Sequence, residues 1–244
     1  MANGKRSFSC LIVAALLVGV CSLNSAWGQT APAMGTAQSF AVLGSSTVTN
    51  TGSTLVTGDV GVSPGSAITG FPPGIATGTI HAADAVAAQA QVDASAAYNV
   101  LFNEACPLAN NLTGQDLGTL TLLPGVYCFT SSAHLSGTLN LNAAGNPNAI
   151  FVFKIGSTLT TASNSSVIVS GGSPCNVFFQ VGSSATLGTG TQFSGNIIAL
   201  ASITLTTGAS VSGGSYALNG AVTTRLPPAR ARSRFAKLRG AAWR

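Results

Sequence analysis

A Thr-Leu pair recurs along the chain at a nearly constant spacing, and this repeat limits the possible folds most strongly. The pairs are Thr119-Leu120, Thr138-Leu139, Thr158-Leu159, Thr186-Leu187 and Thr204-Leu205, so successive leucines lie 19, 20, 28 and 18 residues apart. A period close to twenty residues is typical of a solenoid, in which each coil stacks on the one before. Because side chains alternate in a strand, we expect the leucines to point inward and the flanking threonines outward.

A second apolar phrase precedes three of the pairs and gives each coil at least two strands. These phrases cover residues 149–155, 176–181 and 196–200. They are apolar on both faces, so one face should line the solenoid interior and the other should be covered.

One Ala-rich segment is the expected cover. Residues 81–105 lack Gly and Pro, and their apolar residues recur at spacings of three or four, which predicts a single helix of about 20 to 25 residues. The recurring positions are Val86, Ala90, Ala94, Ala97, Leu101 and Ala105. Pro107 marks the expected end.

Charge is almost confined to the two ends of the chain. The formal net charge is +5, but residues 29–224 contain only Lys154 and five acids, which gives 1 − 5 = −4. Such a segment has no basic surface for nucleic acid and no clustered charge for catalysis. It contains 26 Thr and 23 Ser, so we expect a solvent surface of hydroxyl groups.

The first 28 residues have the pattern of a signal peptide. Lys5 and Arg6 precede an apolar run of 14 residues, and Ala26-Trp27-Gly28 offers a small-x-small cleavage site. Lipidation at Cys21 is disfavoured because Val20 is larger than such a site prefers. We therefore expect a secreted, extracellular protein that is cleaved near Gly28 and has no membrane contact afterwards.

Three cysteines remain in the mature chain, and an exported protein should oxidise one pair. Cys106 with Cys128 is preferred because they flank a short loop, although Cys175 leaves the pairing open.

Several phrases resemble the microbial ice-binding (antifreeze) protein family, in the family's order, from about Ser39 to Thr224. They are TGDVGVSPG at 57–65, ITGFP at 68–72, LPGVYCF at 123–129, GNPNAIFVF at 145–153 and NGAV at 219–222, with the Ala-rich segment between the second and third. The resemblance implies a mostly β fold, a right-handed β-solenoid of triangular cross-section with one long α-helix packed alongside. It also implies an exported protein that adsorbs to ice through one flat face and inhibits ice growth and recrystallisation.

Some members of that family carry a Thr-Ala/Gly-x-Thr/Asn motif on the ice-binding face. Full matches occur at Thr51-Gly-Ser-Thr54 and Thr161-Ala-Ser-Asn164, and near matches begin at Thr189 and Thr207. With the hydroxyl residues of the repeat, the expected face comprises Thr51, Thr54, Thr158, Thr160, Thr161, Ser163, Thr186, Thr189, Thr191, Thr204, Thr206, Thr207 and Ser210. The expected partner is the ice crystal surface, bound by a monomer without cofactor or metal. Outward Thr is also common in strands that have no such role.

Residues 225–244 depart from the family pattern, since dense Arg and the Pro227-Pro228 pair replace an expected polar strand. We expect a disordered basic tail after a solenoid domain that spans residues 29–224. A sequence acquired through a shifted reading frame would look the same. A missing last strand would leave a sheet edge uncovered.

Enzyme functions are disfavoured. Residues 61–65 fit the Gly-x-Ser-x-Gly elbow of hydrolases, and Asp116 and His134 follow in the usual order. However, Pro64 lacks the N–H group that an oxyanion hole needs. The two histidines have no further ligands at metal-binding spacing. The alternative function is an exported adhesin or matrix protein that binds polysaccharide or a cell-surface partner, which would need exposed aromatic rings for sugars.

Overall fold

Strands of two to five residues, separated by tight corners, dominate the computed structural model, which describes residues 29–225 and 237–239. The predicted signal peptide lies outside the described residues. Within them, the strands form three parallel sheets, A, B and C, which are the three sides of a β-solenoid. The mostly β class with one helix is therefore confirmed.

Each sheet takes one strand from each coil. Sheet A runs, in spatial order, β7 (Ile80–Ala82), β4 (Asp59–Val62), β1 (Phe40–Gly44), β21 (Ser215–Ala217), β18 (Asn196–Ala199), β15 (Val177–Val181), β12 (Phe151–Ile155) and β9 (Gly125–Phe129). Sheet B runs β10 (Ala133–Leu135), β13 (Leu159–Thr161), β16 (Ala185–Leu187), β19 (Ile203–Leu205), β22 (Val222–Arg225), β2 (Thr47–Thr51) and β5 (Ala67–Thr69). Sheet C runs β6 (Ile75–Ala76), β3 (Leu55–Thr57), β23 (Lys237–Arg239), β20 (Ser210–Ser212), β17 (Gln192–Ser194), β14 (Ser166–Ser170), β11 (Thr138–Asn142) and β8 (Thr121–Leu122).

The solenoid is discontinuous in sequence. The first complete coil, β1 to β3, pairs with the last coil, β21 to β23, in all three sheets. The chain therefore starts in the middle of the stack, builds towards one end, and then crosses to the opposite end. We call the junction between the first and last coils the seam.

The crossing is made by the helix α1 (Ala85–Asn103), which covers sheet A. Asp84 caps its start by accepting a hydrogen bond from the N–H of Ala87. The buried side is mostly alanine, and Leu101 on that side belongs to the same buried cluster as Phe178 of sheet A. The prediction that the helix begins at residue 81 was wrong, because His81 lies in β7 and the Asp84 cap sets the boundary.

The interior is filled by stacked rings and aliphatic side chains from successive coils. Phe153 lies 4.4 Å from Phe179 between ring centroids, and Phe179 lies 4.6 Å from Phe193. Tyr127 extends this column at 5.6 Å from Phe153. Each coil therefore packs directly on its neighbour, which keeps the strands in register.

A disulfide joins Cys106, just after α1, to Cys128 in β9, with the Cα atoms 6.3 Å apart. This is the preferred pairing. Cys175 is the free cysteine among the described residues. No described helix is long and apolar enough to cross a membrane.

The prediction for the basic tail needs correction at two places. Arg225 is the last residue of β22, and Lys237–Arg239 forms β23 between β20 and β3. A strand is held by main-chain hydrogen bonds, which do not depend on the type of side chain. In sheet C, one strand fits at the seam between β20 and β3. The other residues of the tail lie outside the described part of the chain.

Candidate functional site

The outward side chains of sheet B form one continuous row across all seven strands. Each strand pairs with the next without a register shift, so equivalent positions lie side by side. In spatial order this central row is His134, Thr160, Thr186, Thr204, Thr223, Thr49 and Thr69. At a strand spacing of about 4.8 Å, seven residues span roughly 29 Å.

The six threonine hydroxyls of the central row are available to water. Within the described residues, no protein hydrogen bond uses any of them, and every one of the six side chains is exposed or half-buried. Their inward neighbours, such as Leu159 and Leu205, are buried and fix the backbone beneath them. Because β-branched Thr is restricted at χ1, the row presents a preordered array of methyl and hydroxyl groups.

In the row on the N-terminal side, which we call the upstream row, the hydroxyls of Ser132, Thr158, Ser184 and Ser202 bond within the protein. The Thr158 hydroxyl donates to Ser132 Oγ at 2.8 Å. Main-chain N–H groups of Ser202 and Ala221 donate to Ser184 Oγ and Ser202 Oγ, at 3.4 and 3.2 Å. These hydroxyls therefore bind one coil to the next.

In the row on the C-terminal side, which we call the downstream row, the threonine hydroxyls bond to main-chain carbonyls of the neighbouring coil. Thr206 Oγ1 donates to the carbonyl oxygen of Leu187 at 2.7 Å, and Thr51 Oγ1 donates to that of Thr224 at 3.3 Å. Both hydroxyls are therefore used within the protein, and the Thr206 hydroxyl also lies 3.5 Å from that of Thr189. Arg225 pairs with Thr51, and continuing the registers by one or two residues places Ala162 and Gly188 in the same row as Thr206.

Sheet B thus offers three parallel rows with different chemistry on a face that carries almost no charge. Comparison with known proteins identifies the kind of molecule that has this architecture. The sequence profile of the Ice-binding-like family matches residues 42–226. The chain belongs to this family.

Named relatives and solved structures agree with the family assignment. An ice-binding protein of Nostoc sp. (strain HG1) is 63% identical over 192 residues, which cover 78% of this chain and 70% of the relative. A crystal structure of an ice-binding protein from an Antarctic biological consortium matches with a TM-score of 0.78 and 47% identity, over 82% of this chain and 93% of that one. The ice-binding protein of Antarctomyces psychrotrophicus matches with a TM-score of 0.76 and 37% identity, over 83% and 100%.

The structure places six of the predicted face residues of this ice-binding family member on sheet B. They are Thr51, Thr158, Thr160, Thr186, Thr204 and Thr206. Ser163, Thr189 and Thr207 lie at the corner between sheets B and C, and Ser210 lies in sheet C. The predicted set therefore spans a face, a corner and part of a second face.

Three predicted residues are buried and cannot contact a solid surface. Thr54, Thr161 and Thr191 are 2%, 3% and 0% exposed. Thr161 follows the outward Thr160, so alternation turns it inward, where its hydroxyl lies 2.7 Å from that of Thr191. Thr54 donates to Asn50 at the seam. Placing them on the ice-binding face was wrong.

Sequence reasoning missed three of the six threonines in the central row, namely Thr49, Thr69 and Thr223. Their strands carry valine or isoleucine before Thr and no leucine beside it, so the Thr-Leu repeat did not reveal them. The signal was the alternation Thr47-Val-Thr-Asn-Thr51, which places three threonines on one face of β2.

One carboxylate lies near the His134 end of the face. Asp116 pairs with His134 through a β-bridge and accepts hydrogen bonds from Gly118 and Ser136. Burial acts to raise the pKa of Asp116, but these hydrogen bonds outweigh it and lower the pKa below its usual value. The carboxylate thus stays charged and holds the loop that follows α1.

The motif expected of a hydrolase is not assembled. Ser63 follows β4 near one end of the stack, whereas Asp116 and His134 meet at the opposite end. Within residues 29–225, no group of three or more His, Cys, Asp or Glu side chains could hold a metal ion.

Sheet C also has an outward row in register, Thr138, Ser166, Gln192 and Ser210, but the hydroxyls of Thr138 and Ser166 bond to each other and a hollow lies on this face. Ser166, Gln192, Ser194 and Ser210 line it around the half-exposed Ile168. The Phe193 ring beside it is buried in the core. The described part of this hollow therefore has no exposed aromatic ring on which a sugar could stack.

Proposed function

We propose that this protein adsorbs to ice through sheet B and inhibits ice growth and recrystallisation. The observation that supports this most strongly is the central row, in which six threonine hydroxyls lie in register and bond to no described protein group. The relatives named above support the same substrate, because each carries the name of an ice-binding protein.

Ice is an uncharged lattice of water, so a protein surface that binds it must be rigid, regular and almost free of charge. Methyl groups of the central row restrict the adjacent water, and the free hydroxyls anchor it by hydrogen bonds. Water-mediated contacts of this kind are nearly as favourable as direct ones. Because the threonines are already ordered, little conformational entropy is lost on adsorption.

Adsorbed molecules then pin the growing ice front. The front must curve between neighbouring molecules, and a curved front grows only at a lower temperature. The expected activity is therefore thermal hysteresis, a gap between the melting and the freezing temperature of a crystal, together with slower recrystallisation. This activity requires no cofactor, no metal and no catalytic step.

The proposal includes export of a monomer whose partner is the ice surface, without nucleic acid or membrane. Export is supported by the signal-peptide pattern of residues 1–28, and the lack of nucleic-acid binding by the scarcity of basic residues between 29 and 224.

Thr204→Arg tests the proposed face. Thr204 lies in the middle of the central row, so a long charged side chain there should prevent close contact with ice and reduce hysteresis at least about tenfold. Its half-buried position at the surface predicts a folded variant, which circular dichroism can verify. Gln192→Arg adds the same charge on sheet C and is the matched control. Unchanged hysteresis in Thr204→Arg, or a loss only in Gln192→Arg, would assign the activity to a surface other than sheet B.

Direct observation of a single ice crystal, held just below its melting point in dilute protein, distinguishes ice binding from the adhesin alternative. Ice binding predicts a faceted crystal whose growth stops. A smooth disc that grows freely would favour an adhesin.

A further inference from the structure

Arg225 is a charged residue in the downstream row of sheet B. Its Cα pairs with that of Thr51 in β2, and the preceding Thr224 pairs with Leu205 in β19. Thr224 is buried, so alternation along β22 turns Arg225 outward, and its side chain is exposed. It therefore lies between Thr206 and Thr51, next to the seam.

The residues around Arg225 on sheet B are short and uncharged. The other members of the downstream row between β13 and β2 are Ala162, Gly188, Thr206 and Thr51, all short side chains. Among the described outward positions of sheet B, no other Lys, Arg, Asp or Glu occurs. One residue thus interrupts an otherwise uncharged surface.

Arg225 is also close to the central row. Thr223 lies two residues earlier on the same face of β22, at about 6.8 Å, which is shorter than an extended arginine side chain. The guanidinium can therefore lie over Thr223 or over the neighbouring Thr49, which pairs with it.

We propose that Arg225 limits the affinity of sheet B for ice and sets the downstream boundary of the binding face. This inference rests on the proposed function. A guanidinium keeps its own hydration shell, and an ice lattice supplies no opposite charge to replace it. Ordering its long side chain against a flat surface also loses rotamer entropy, which a threonine loses far less. Adsorption then uses the central and upstream rows, and the downstream row does not contribute beside the seam.

Arg225→Thr is the test. The change extends the row of short side chains from Ala162 to Thr51, so thermal hysteresis at equal concentration should rise about twofold or more, with an unchanged melting temperature of the protein. Arg225→Lys keeps the charge and should behave like the unmodified chain. Arg225→Gln keeps much of the length without the charge and should fall between them. Gln192→Thr, which introduces the same residue on sheet C, is the matched control and should leave hysteresis unchanged.

The outcomes separate the inference from the function on which it rests. Suppose that the unmodified protein is active and Thr204→Arg is inactive. Unchanged or lower hysteresis in Arg225→Thr would then overturn the role of Arg225 but not the proposed function. An equal rise in Arg225→Lys and Arg225→Thr would also overturn it, since charge would not be the cause. An unmodified protein without hysteresis would overturn both.

Discussion

At the scale of the residue, threonine has three different roles in this protein, and its hydrogen-bond partner decides which. In the central row the hydroxyl has no described protein partner. In Thr206 the hydroxyl donates to a main-chain carbonyl one coil away. In Thr161 it is buried against another hydroxyl. Composition alone cannot separate these roles, because all three positions carry the same side chain.

Asn50 shows how one buried polar residue stabilises the seam. Its amide nitrogen donates to the carbonyl oxygens of Gly52 and Gly70, each at 2.8 Å. Its amide oxygen accepts from the hydroxyls of Thr54 and Thr224. The side chain therefore connects three coils, two from the start of the chain and one from its end.

Asn50→Ala should destabilise the protein strongly, because it leaves these buried groups without partners. We expect a loss of about 2–4 kcal/mol in the free energy of unfolding, which corresponds to a drop of roughly 5–12 °C in melting temperature. Thermal unfolding followed by circular dichroism measures it. Asn99→Ala on the exposed side of α1 is the control and should change the melting temperature little. Similar stabilities for the two variants would mean that Asn50 does not hold the seam.

At the scale of the element, α1 is attached to the rest of the fold partly through Asp93. The carboxylate accepts a hydrogen bond from the main-chain N–H of Thr36, at 2.6 Å, and one from the Gln89 amide at 2.9 Å. Gly35 has φ near +50°, and a Cβ there would meet the carboxylate. The 3₁₀ turn of residues 35–39 therefore fits closely against the helix.

This contact predicts a pH dependence of stability. The hydrogen bond from Thr36 lowers the pKa of Asp93 in the folded protein. The unfolded chain keeps an ordinary pKa near 3.9, so it binds more protons than the folded state in the window below about pH 5. The contribution to stability is complete above that window and is lost as the pH falls through the lowered pKa.

Asp93→Asn should therefore flatten the fall in melting temperature between about pH 5 and pH 3. Part of the fall should persist, because the pKa values of Asp84 and Asp116 are also lowered. Gln89→Met removes only the secondary hydrogen bond to Asp93 and should keep most of the slope. If plots of melting temperature against pH ran parallel for Asp93→Asn and the unmodified protein, the Asp93 carboxylate would not be what attaches α1.

Which elements could be predicted follows from how local their signals are. The Thr-Leu repeat predicted the outward Thr160, Thr186 and Thr204 because each depends only on alternation within one strand. The start of α1 was misplaced because residues 80–82 pair with β4, and this pairing is not visible in the helix pattern. The roles of Thr54 and Thr191 depend on corners, where alternation does not apply.

At the scale of the whole molecule, the discontinuity explains why the face could not be completed from repeats alone. The central row crosses the seam between Thr223 in β22 and Thr49 in β2, residues 174 positions apart in sequence. Both ends of the chain therefore contribute to a single surface. Its continuity depends on the packing of the last coil against the first.

The last strand of the seam supplies the final prediction, made on the full chain. β23 pairs with β20 through Val211 and Leu238, and with β3 through Val56 and the same Leu238. Deleting residues 226–244 removes this strand and leaves the edges of β20 and β3 without partners. We expect the free energy of unfolding to fall by about 2–3 kcal/mol and the melting temperature to fall by roughly 5–10 °C.

Because β22 keeps its place in sheet B, the truncated protein should still show hysteresis near 0 °C, where it remains folded. Deletion of residues 240–244 alone keeps Lys237–Arg239 and is the matched control; it should leave the melting temperature unchanged. Equal melting temperatures for the two truncations would contradict a stabilising role for β23. Loss of hysteresis in the folded longer truncation would mean that the face on sheet B depends on closure of sheet C, and that the three sides of the solenoid are not independent.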